Sequence, residues 1–449
     1  MFLEVAIGEA IDKYSILEIK KNRIIDTHKL NCILHEINAL SECKSYINEY
    51  PFFYSLLLHI NTVIWDTTDQ VKQITLNGTL LSDTELYAQL SYKIFEYNQM
   101  RFRIKNIFNL ITSSVIKEQK SYNSNMCNVI IPNKDIIYDK IPEINYLLVK
   151  YDTVTFDCDS ISEEVIKRLF KNPNYTVNSN VNADVISDST NKTVNIMDFV
   201  CDDDRTKYEF PPITYASGGL LGDFIHQLSV IHQNYLQTGR KGILYIANSG
   251  DRFRTGIDQT YKDTYDIIIG QSYIKDYKIH ASEQFDINLS SWRADPMLFK
   301  CNWNELYKKV YNVDWGTKPW LKIKEVLPEW ENKIIINTSK FRFPEQINFN
   351  ELITKYGVDN IIYIGFVEKE YYRFIMKTGI RTIKFHKLTT LVEMCNIINS
   401  CKLMVGSLSA PMAFAHGMHK ESFISCPRGD IIMFVNLNVI PNLHIDNMS

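Results

Sequence analysis

Asp223 is the carboxylate whose sequence neighbourhood best suits it to chemistry. It closes the run Gly218-Gly-Leu-Leu-Gly-Asp223, between a strand-like apolar segment and an amphipathic stretch. Gly218, Gly219 and Gly222 let the backbone turn tightly and lie close to a ligand. An acid at a helix start is favoured by the helix dipole and points into the crevice above the strand ends. Such a group can act as a general base if it reaches the proton it removes. A second turn, Gly406-Ser-Leu-Ser-Ala-Pro411, also joins a strand-like segment to a helical one. Amides at a helix start have no partner within the helix and attract an anion, and Ser409 can add a hydroxyl. Ser339, Lys340 and Arg342, after the apolar run ending at Thr338, can supply donors and positive charge to the same anion.

Other polar groups are read more plainly. Arg252, Arg254 and Arg293 follow strand-like segments on the crevice side and would suit an acidic or phosphorylated ligand. His226 could line the same face. His416 and His419 lack a third ligand nearby, so no zinc site is expected. Asp202-Asp-Asp204 reads as a solvated linker, because three consecutive carboxylates cannot all face one ion. Glu9, Asp12, Lys13 and Glu18 read as a solvated helix face with intrahelical ion pairs.

These turns need strands and helices to hold them. From Pro212 onward the two alternate: strands at 213–216 and 242–248 flank a helix from Asp223 to Leu236, a right-handed parallel unit. A helix over 265–274 leads to a strand near 277–280, and 286–293 reads as a loop. After the passage from Trp315 to Trp330, a second series places strands at 333–338, 361–366, 381–385 and 403–406. Helices are expected near 349–356, 368–378, 388–400 and 410–416. Two such series imply two doubly wound domains facing each other across a cleft. Residues 9–120 have helical periodicity, with a capping-box spacing at Ser82–Glu85, and suit a bundle or long hairpin. Strands at 128–132 and 153–158 precede a connector rich in Asn, Ser, Asp and Thr. The expected division is 1–124 helical, 125–210 small α/β insert and connector, then lobes at 211–325 and 326–449.

Composition bounds the rest. A chain of 449 residues exceeds one ordinary core, and 45% hydrophobic with 22% charged residues is a globular balance. A net charge of -3 provides no bulk attraction to nucleic acid or anionic membrane. Nine cysteines without a C-x-x-C pair suit a reducing compartment. Neither a leader-like start nor an apolar run approaching about 18 residues is evident, so a cytoplasmic protein is expected.

Gly218–Ile225 together with Leu391–Phe423 resembles the heptosyltransferase-like glycosyltransferases of the GT-B fold. That family opens its first domain with a Gly-x-Gly-Asp type turn. It closes its second with helix, strand and a Gly-Asn-Asp-Ser-Gly-Pro-x-His-like turn, where this chain has Gly406-Ser-Leu-Ser-Ala-Pro-Met-Ala413. The resemblance covers the second half of the chain. It implies a multidomain α/β protein in which a helical bundle precedes a GT-B-like pair of Rossmann-like domains. The implied reaction moves a sugar from a nucleotide-diphosphate sugar to an acceptor hydroxyl, with inversion and with neither metal nor cofactor. Asp223 would be the base, and Gly218, Gly219, Gly222, His226, Arg252, Arg254 and Arg293 would lie on the acceptor side. Ser339, Lys340, Arg342, Gly406, Ser407, Ser409, Ala410 and Pro411 would bind the donor. Glu368 matches the family's position for a sugar- or ribose-binding carboxylate. Leu408 replaces a common acid, Ala410 a glycine and Ala413 a frequent histidine. A second reading therefore stays open, a catalytically silent glycan- or nucleotide-binding protein with a helical module for assembly. Glu4–Lys20 and Glu118–Tyr122 resemble the ends of a short bacterial helical family of unassigned function, which marks a boundary without assigning a role.

Overall fold

The computed structural model describes residues 4–79, 82–116, 125–179, 192–247, 253–339, 343–344, 347–425, 431–433 and 443–445. The chain forms two compact units, Met1–Pro211 and Pro212–Ser449.

The first unit opens with α1 (Ile7–Arg23), α2 (Thr27–Ala39), α3 (Cys43–Glu49), α4 (Pro51–Leu76) and α5 (Thr84–Ile111). Ile11, Leu17, Leu57, Ile60, Ile104 and Phe108 share one core, as their helical spacing requires. Asp26 caps α2 by accepting from the Lys29 amide, and Pro51 begins α4, where its missing N–H costs nothing. The expected capping box at Ser82 is not formed; Asp83 is the N-cap and makes no side-chain cap bond. Asp12 also departs from the solvated-face reading. It is 2% exposed, takes both Nε and Nη2 of Arg101, and accepts from Asn61. A carboxylate can be buried in this way because the paired guanidinium and the amide replace its water.

A parallel sheet follows, built from β1 (Met126–Ile130), β2 (Thr153–Asp157), β3 (Tyr175–Asn178) and β4 (Lys192–Asn195) in the order β3-β2-β1-β4. Its helices are α6 (Lys134–Asp139), α7 (Ile141–Lys150) and α8 (Ser160–Leu169). In the acidic run beyond it Asp202 and Asp204 stay exposed, as a solvated linker requires, and only Asp203 is largely withdrawn from solvent. Asp203 binds His59 at 2.7 Å and Tyr208 at 2.9 Å, Asp202 takes Lys150 at 2.9 Å, and Asp204 caps a 3₁₀ turn.

The second unit contains two more parallel sheets. The first joins β5 (Ile213–Ser217), β6 (Gly242–Ile246), β7 (Ile274–Ile279) and β8 (Ile287–Asn288) in the order β7-β6-β5-β8, with α9 (Leu221–Thr238), α10 (Ile257–Ile269) and α11 (Trp303–Tyr311). Helix α10 starts well before the expected Tyr265, because Gly256 at φ 82° breaks the chain into it. The stretch read as a loop at 286–293 contains β8 and a 3₁₀ turn, Ser291–Ala294. The second sheet joins β9 (Ile334–Asn337), β10 (Ile361–Gly365), β11 (Lys384–Lys387), β12 (Leu403–Ser407), β13 (Ser422–Ser425) and β14 (Leu443–Ile445). Its order is β11-β10-β9-β12-β13-β14, and its helices are α12 (Phe349–Tyr356), α13 (Glu368–Thr378), α14 (Leu391–Ser400) and α15 (Ala410–Gly417). The chain is thus mixed α/β with parallel sheets. Continuous apolar runs such as Ile334–Ile336 are buried in the sheet interior, as strands covered on both faces must be.

Candidate active site

Both sheets of the second unit reverse direction once. From β5 the chain steps outward to β6 and β7, then returns to place β8 on the other side of β5. From β9 it steps to β10 and β11, then places β12 on the other side of β9. Loops leaving strands on either side of such a reversal diverge, and a crevice opens at the carboxyl ends. Here the loops after β5, β8, β9 and β12 all reach one cavity of about 1180 Å³. They contribute Leu220–Asp223, Trp292 with Arg293, Ser339, and Leu408–Ala410.

On the first wall Asp223 lies in the first turn of α9 and is tied to Arg293. Arg293 Nη2 donates to Asp223 Oδ2 at 2.5 Å, and its guanidinium lies 4.6 Å from the Trp292 ring centre. Gly219 leaves room for this pair. Its φ of +110° disfavours any side chain, and a Cβ there would strike the Arg293 guanidinium. The Gly218 carbonyl turns inward to Gln227 and Ser290, so Gly218 and Gly219 shape the turn without lining the cavity. Gly222 lines it and lies against Ala410 of α15. Arg254 lines it as well.

His226 sits one turn beyond Asp223 and is buried. Its Nε2 is 3.2 Å from Nδ1 of His416 on α15, and the two rings stack at 5.4 Å with 10° between their planes. Burial pushes His226 down to about 3 and holds His416 well below the ordinary imidazole range. Both rings are therefore neutral near pH 7, and one donates to the other. Trp303, Trp315 and Trp320 surround His226 edge-on. The Trp320 indole N–H donates to the Ile225 carbonyl at 2.9 Å, which fixes α9 from behind.

On the second wall, Ser339, Ser409 and Ala410 line the cavity, while Gly406, Ser407 and Pro411 are not among its lining residues. Gly406 lies inside β12 opposite Asn337, whose carbonyl a Cβ would strike, so this glycine serves the approach of β12 to β9. The buried Ser407 hydroxyl accepts from the Ser339 amide at 2.8 Å and joins the two strand ends. The Ser409 hydroxyl donates to the Ser407 carbonyl at 3.1 Å instead of capping α15, whose N-cap makes no side-chain bond. Leu408 and Ala413, the departures from the resembled motif, also line the cavity. Glu368 does not. It begins α13 in an exposed position and accepts from Tyr372 at 3.1 Å, a side-chain contact one helical turn away. Lys340, Arg342 and Arg252 lie outside the described residues.

Several lining groups escaped sequence reading. Thr390 accepts from the Glu393 amide, and Glu393 in turn binds Thr389 and His386. Burial opposes its ionisation, but these bonds prevail and bring Glu393 down to about 2. The spacing Thr390-Leu-Val-Glu393 was a legible helix-start signal. Trp303 and Phe299 had none, since their place depends on how the chain after β8 folds back. Among the described residues no group of three or more His, Cys, Asp or Glu is placed to hold a metal ion. Nor, among them, is any helix long and apolar enough to cross a membrane.

No protein-family model and no curated protein matches the sequence. Among solved structures the chain is similar to E. coli heptosyltransferase WaaC with ADP-2-deoxy-2-fluoro heptose, at 10% identity over 53% of this chain and 93% of that one, with a TM-score of 0.35. It is similar to a glycosyl transferase family 9 protein from Veillonella parvula DSM 2008, at 11% identity over 74% and 90%, with a TM-score of 0.26. E. coli ADP-heptose lps heptosyltransferase II is similar at 10% identity over 72% and 91%, with a TM-score of 0.25.

Proposed function

We propose that the second unit is a GT-B-like glycosyltransferase that moves a sugar from a nucleotide-diphosphate sugar to an acceptor hydroxyl, with inversion and without a metal ion. One observation carries this reading. The turns after β5 and β12, on separate sheets, open into one cavity, with Asp223 from one and the start of α15 from the other. The acceptor hydroxyl attacks the anomeric carbon as the bond to the diphosphate oxygen breaks on the opposite face, through a transition state of oxocarbenium character. Asp223 takes the hydroxyl proton, and Arg293 orients its carboxylate. The electron pair leaves with the diphosphate, whose charge is met by the α15 amides and Ser339.

The Asp223–Arg293 pair also favours a second reading, a silent nucleotide- or glycan-binding protein in which that carboxylate serves structure. A panel of nucleotide sugars distinguishes the two. The transferase reading expects turnover that Asp223→Asn lowers by about 10²- to 10⁴-fold while nucleotide-diphosphate affinity is kept. Saturable nucleotide or glycan binding with no turnover of any donor would leave the silent reading. If neither binding nor turnover is found, both fail.

A further inference from the structure

The chain as a whole carries a net charge of -3, but that charge is unevenly spread. Between Phe366 and Lys387, through α13 and the edge strand β11, the cations are Lys369, Arg373, Lys377, Arg381, Lys384 and Lys387. The acids of the same stretch are Glu368 and Glu370. Asp359, 3.7 Å from Lys384, offsets one more charge, and an excess of cations remains. Lys369, Lys377, Arg381, Lys384 and Lys387 are all exposed.

The same surface is apolar where a solvated helix face is ordinarily polar. Phe374 is buried, and Tyr371 and Ile375 pack against the same core, which fixes the inward side of α13. At about 3.6 residues per turn, Lys369, Tyr372, Arg373 and Met376 then share the outward side. Met376 is 82% exposed and Tyr372 56%; just ahead of the helix, Val367 is 56% exposed and Phe366 40%. A single exposed apolar residue means little, but these four lie together and are flanked by cations. That combination discriminates among polyanions. Nucleic acid offers phosphates and base faces, on which Met376 and Val367 cannot stack. An anionic lipid surface offers phosphates beside an apolar phase that both side chains can enter. Tyr372 suits the same boundary, and lysine and arginine stems can lie along it with their charges among the headgroups. No helix among the described residues is long and apolar enough to cross a membrane, so the contact is with its surface.

We propose that the outward face of α13, with Phe366 and Val367 ahead of it, docks on an anionic lipid surface. The apolar side chains enter the headgroup layer, and the lysines and arginines meet the lipid phosphates. Phe366 also lines the cavity, so docking sets the cavity rim beside the lipid. The proposal stands apart from the transferase reading, since vesicle binding requires neither donor nor turnover. It is tested on the full chain by co-sedimentation with vesicles of phosphatidylcholine alone or with about 30 mol% phosphatidylserine. Binding to the anionic vesicles should exceed binding to the neutral ones by about tenfold or more. It should fall at least about tenfold between about 50 mM and about 500 mM salt. Lys369→Glu with Arg373→Glu should weaken it about tenfold or more, and Met376→Ser severalfold. Lys29→Glu with Lys44→Glu, an equal change of charge at exposed positions of the first unit, should leave it within about twofold. Met376 is exposed, so its variant keeps the test open if the charge reversal fails to fold. Equal binding to both vesicles, an equal loss from the first-unit control, or indifference to Met376→Ser overturns the docking face. Binding of a single-stranded oligonucleotide without vesicle binding, lost in the Lys369 and Arg373 double variant, overturns the lipid assignment and makes the face a nucleic-acid contact.

Discussion

Asp223 has two neighbours that decide what it can do, Arg293 and Gly219. The pair with Arg293 is mostly buried, with side-chain exposures of 26% and 19%, so solvent screens it less than a surface pair. A double-mutant cycle with Asp223→Asn and Arg293→Gln should give a coupling of about 1–2 kcal/mol in urea unfolding. A coupling near zero would mean that the contact does not constrain the carboxylate. Gly219→Ala should cost roughly 1–3 kcal/mol, since it meets both an unfavourable φ and the guanidinium. It should also reduce turnover more than nucleotide binding, because the displaced group is on the Asp223 wall. A variant as stable and active as the parent would show that the turn relaxes freely.

At the scale of elements, the contact between α9 and α15 matters most, because each helix carries one of the two turns. Its centre is the His226–His416 stack, with His232 half-buried on α9 and held down to about 4 by desolvation. All three have folded values below the ordinary 6.5, so the unfolded chain takes up protons first as pH falls. Stability is therefore complete above about pH 6.5 and lost as the solution is acidified toward the folded values, and it should rise with pH across this window. Between pH 7.5 and pH 5 each such histidine should remove roughly 2 kcal/mol. Urea midpoints measured across that range should fall for the parent and fall less steeply for His226→Gln, whatever the variant costs at neutral pH. Parallel pH profiles would show that His226 titrates alike in both states.

At the scale of the molecule, the two units have separate cores. Ile11, Leu57 and Phe108 belong to one, and Ile334, Tyr363 and Phe374 to another. The cavity is lined entirely from the second unit. A fragment spanning 212–449 should thus fold and keep the nucleotide affinity of the full chain within about threefold, as read by calorimetry. A folded fragment that no longer binds would mean that the first unit contributes to the site.

Local patterns were enough to reveal the α/β character of the second unit, both glycine-bearing turns and the position of Asp223. Strand runs, glycines and first-turn acids act on their immediate neighbours in the chain, and their spacing records that action. The helices from Glu368 and Ala410 begin where their sequences imply. Partnership was decided only in three dimensions. Arg293 is 70 residues from Asp223 and His416 is 190 from His226, and no periodicity carries contacts of that range. Gly406 was legible as a special glycine, but whether it faced a ligand or Asn337 depended on β12 returning to the side of β9. Asp12 likewise matched a solvated helix face until Arg101, 89 residues away, covered it. Sequence determined which segments turn and which residues stand at the turns. Sheet order, which arises from long-range packing, decided that two of those turns meet in one cavity.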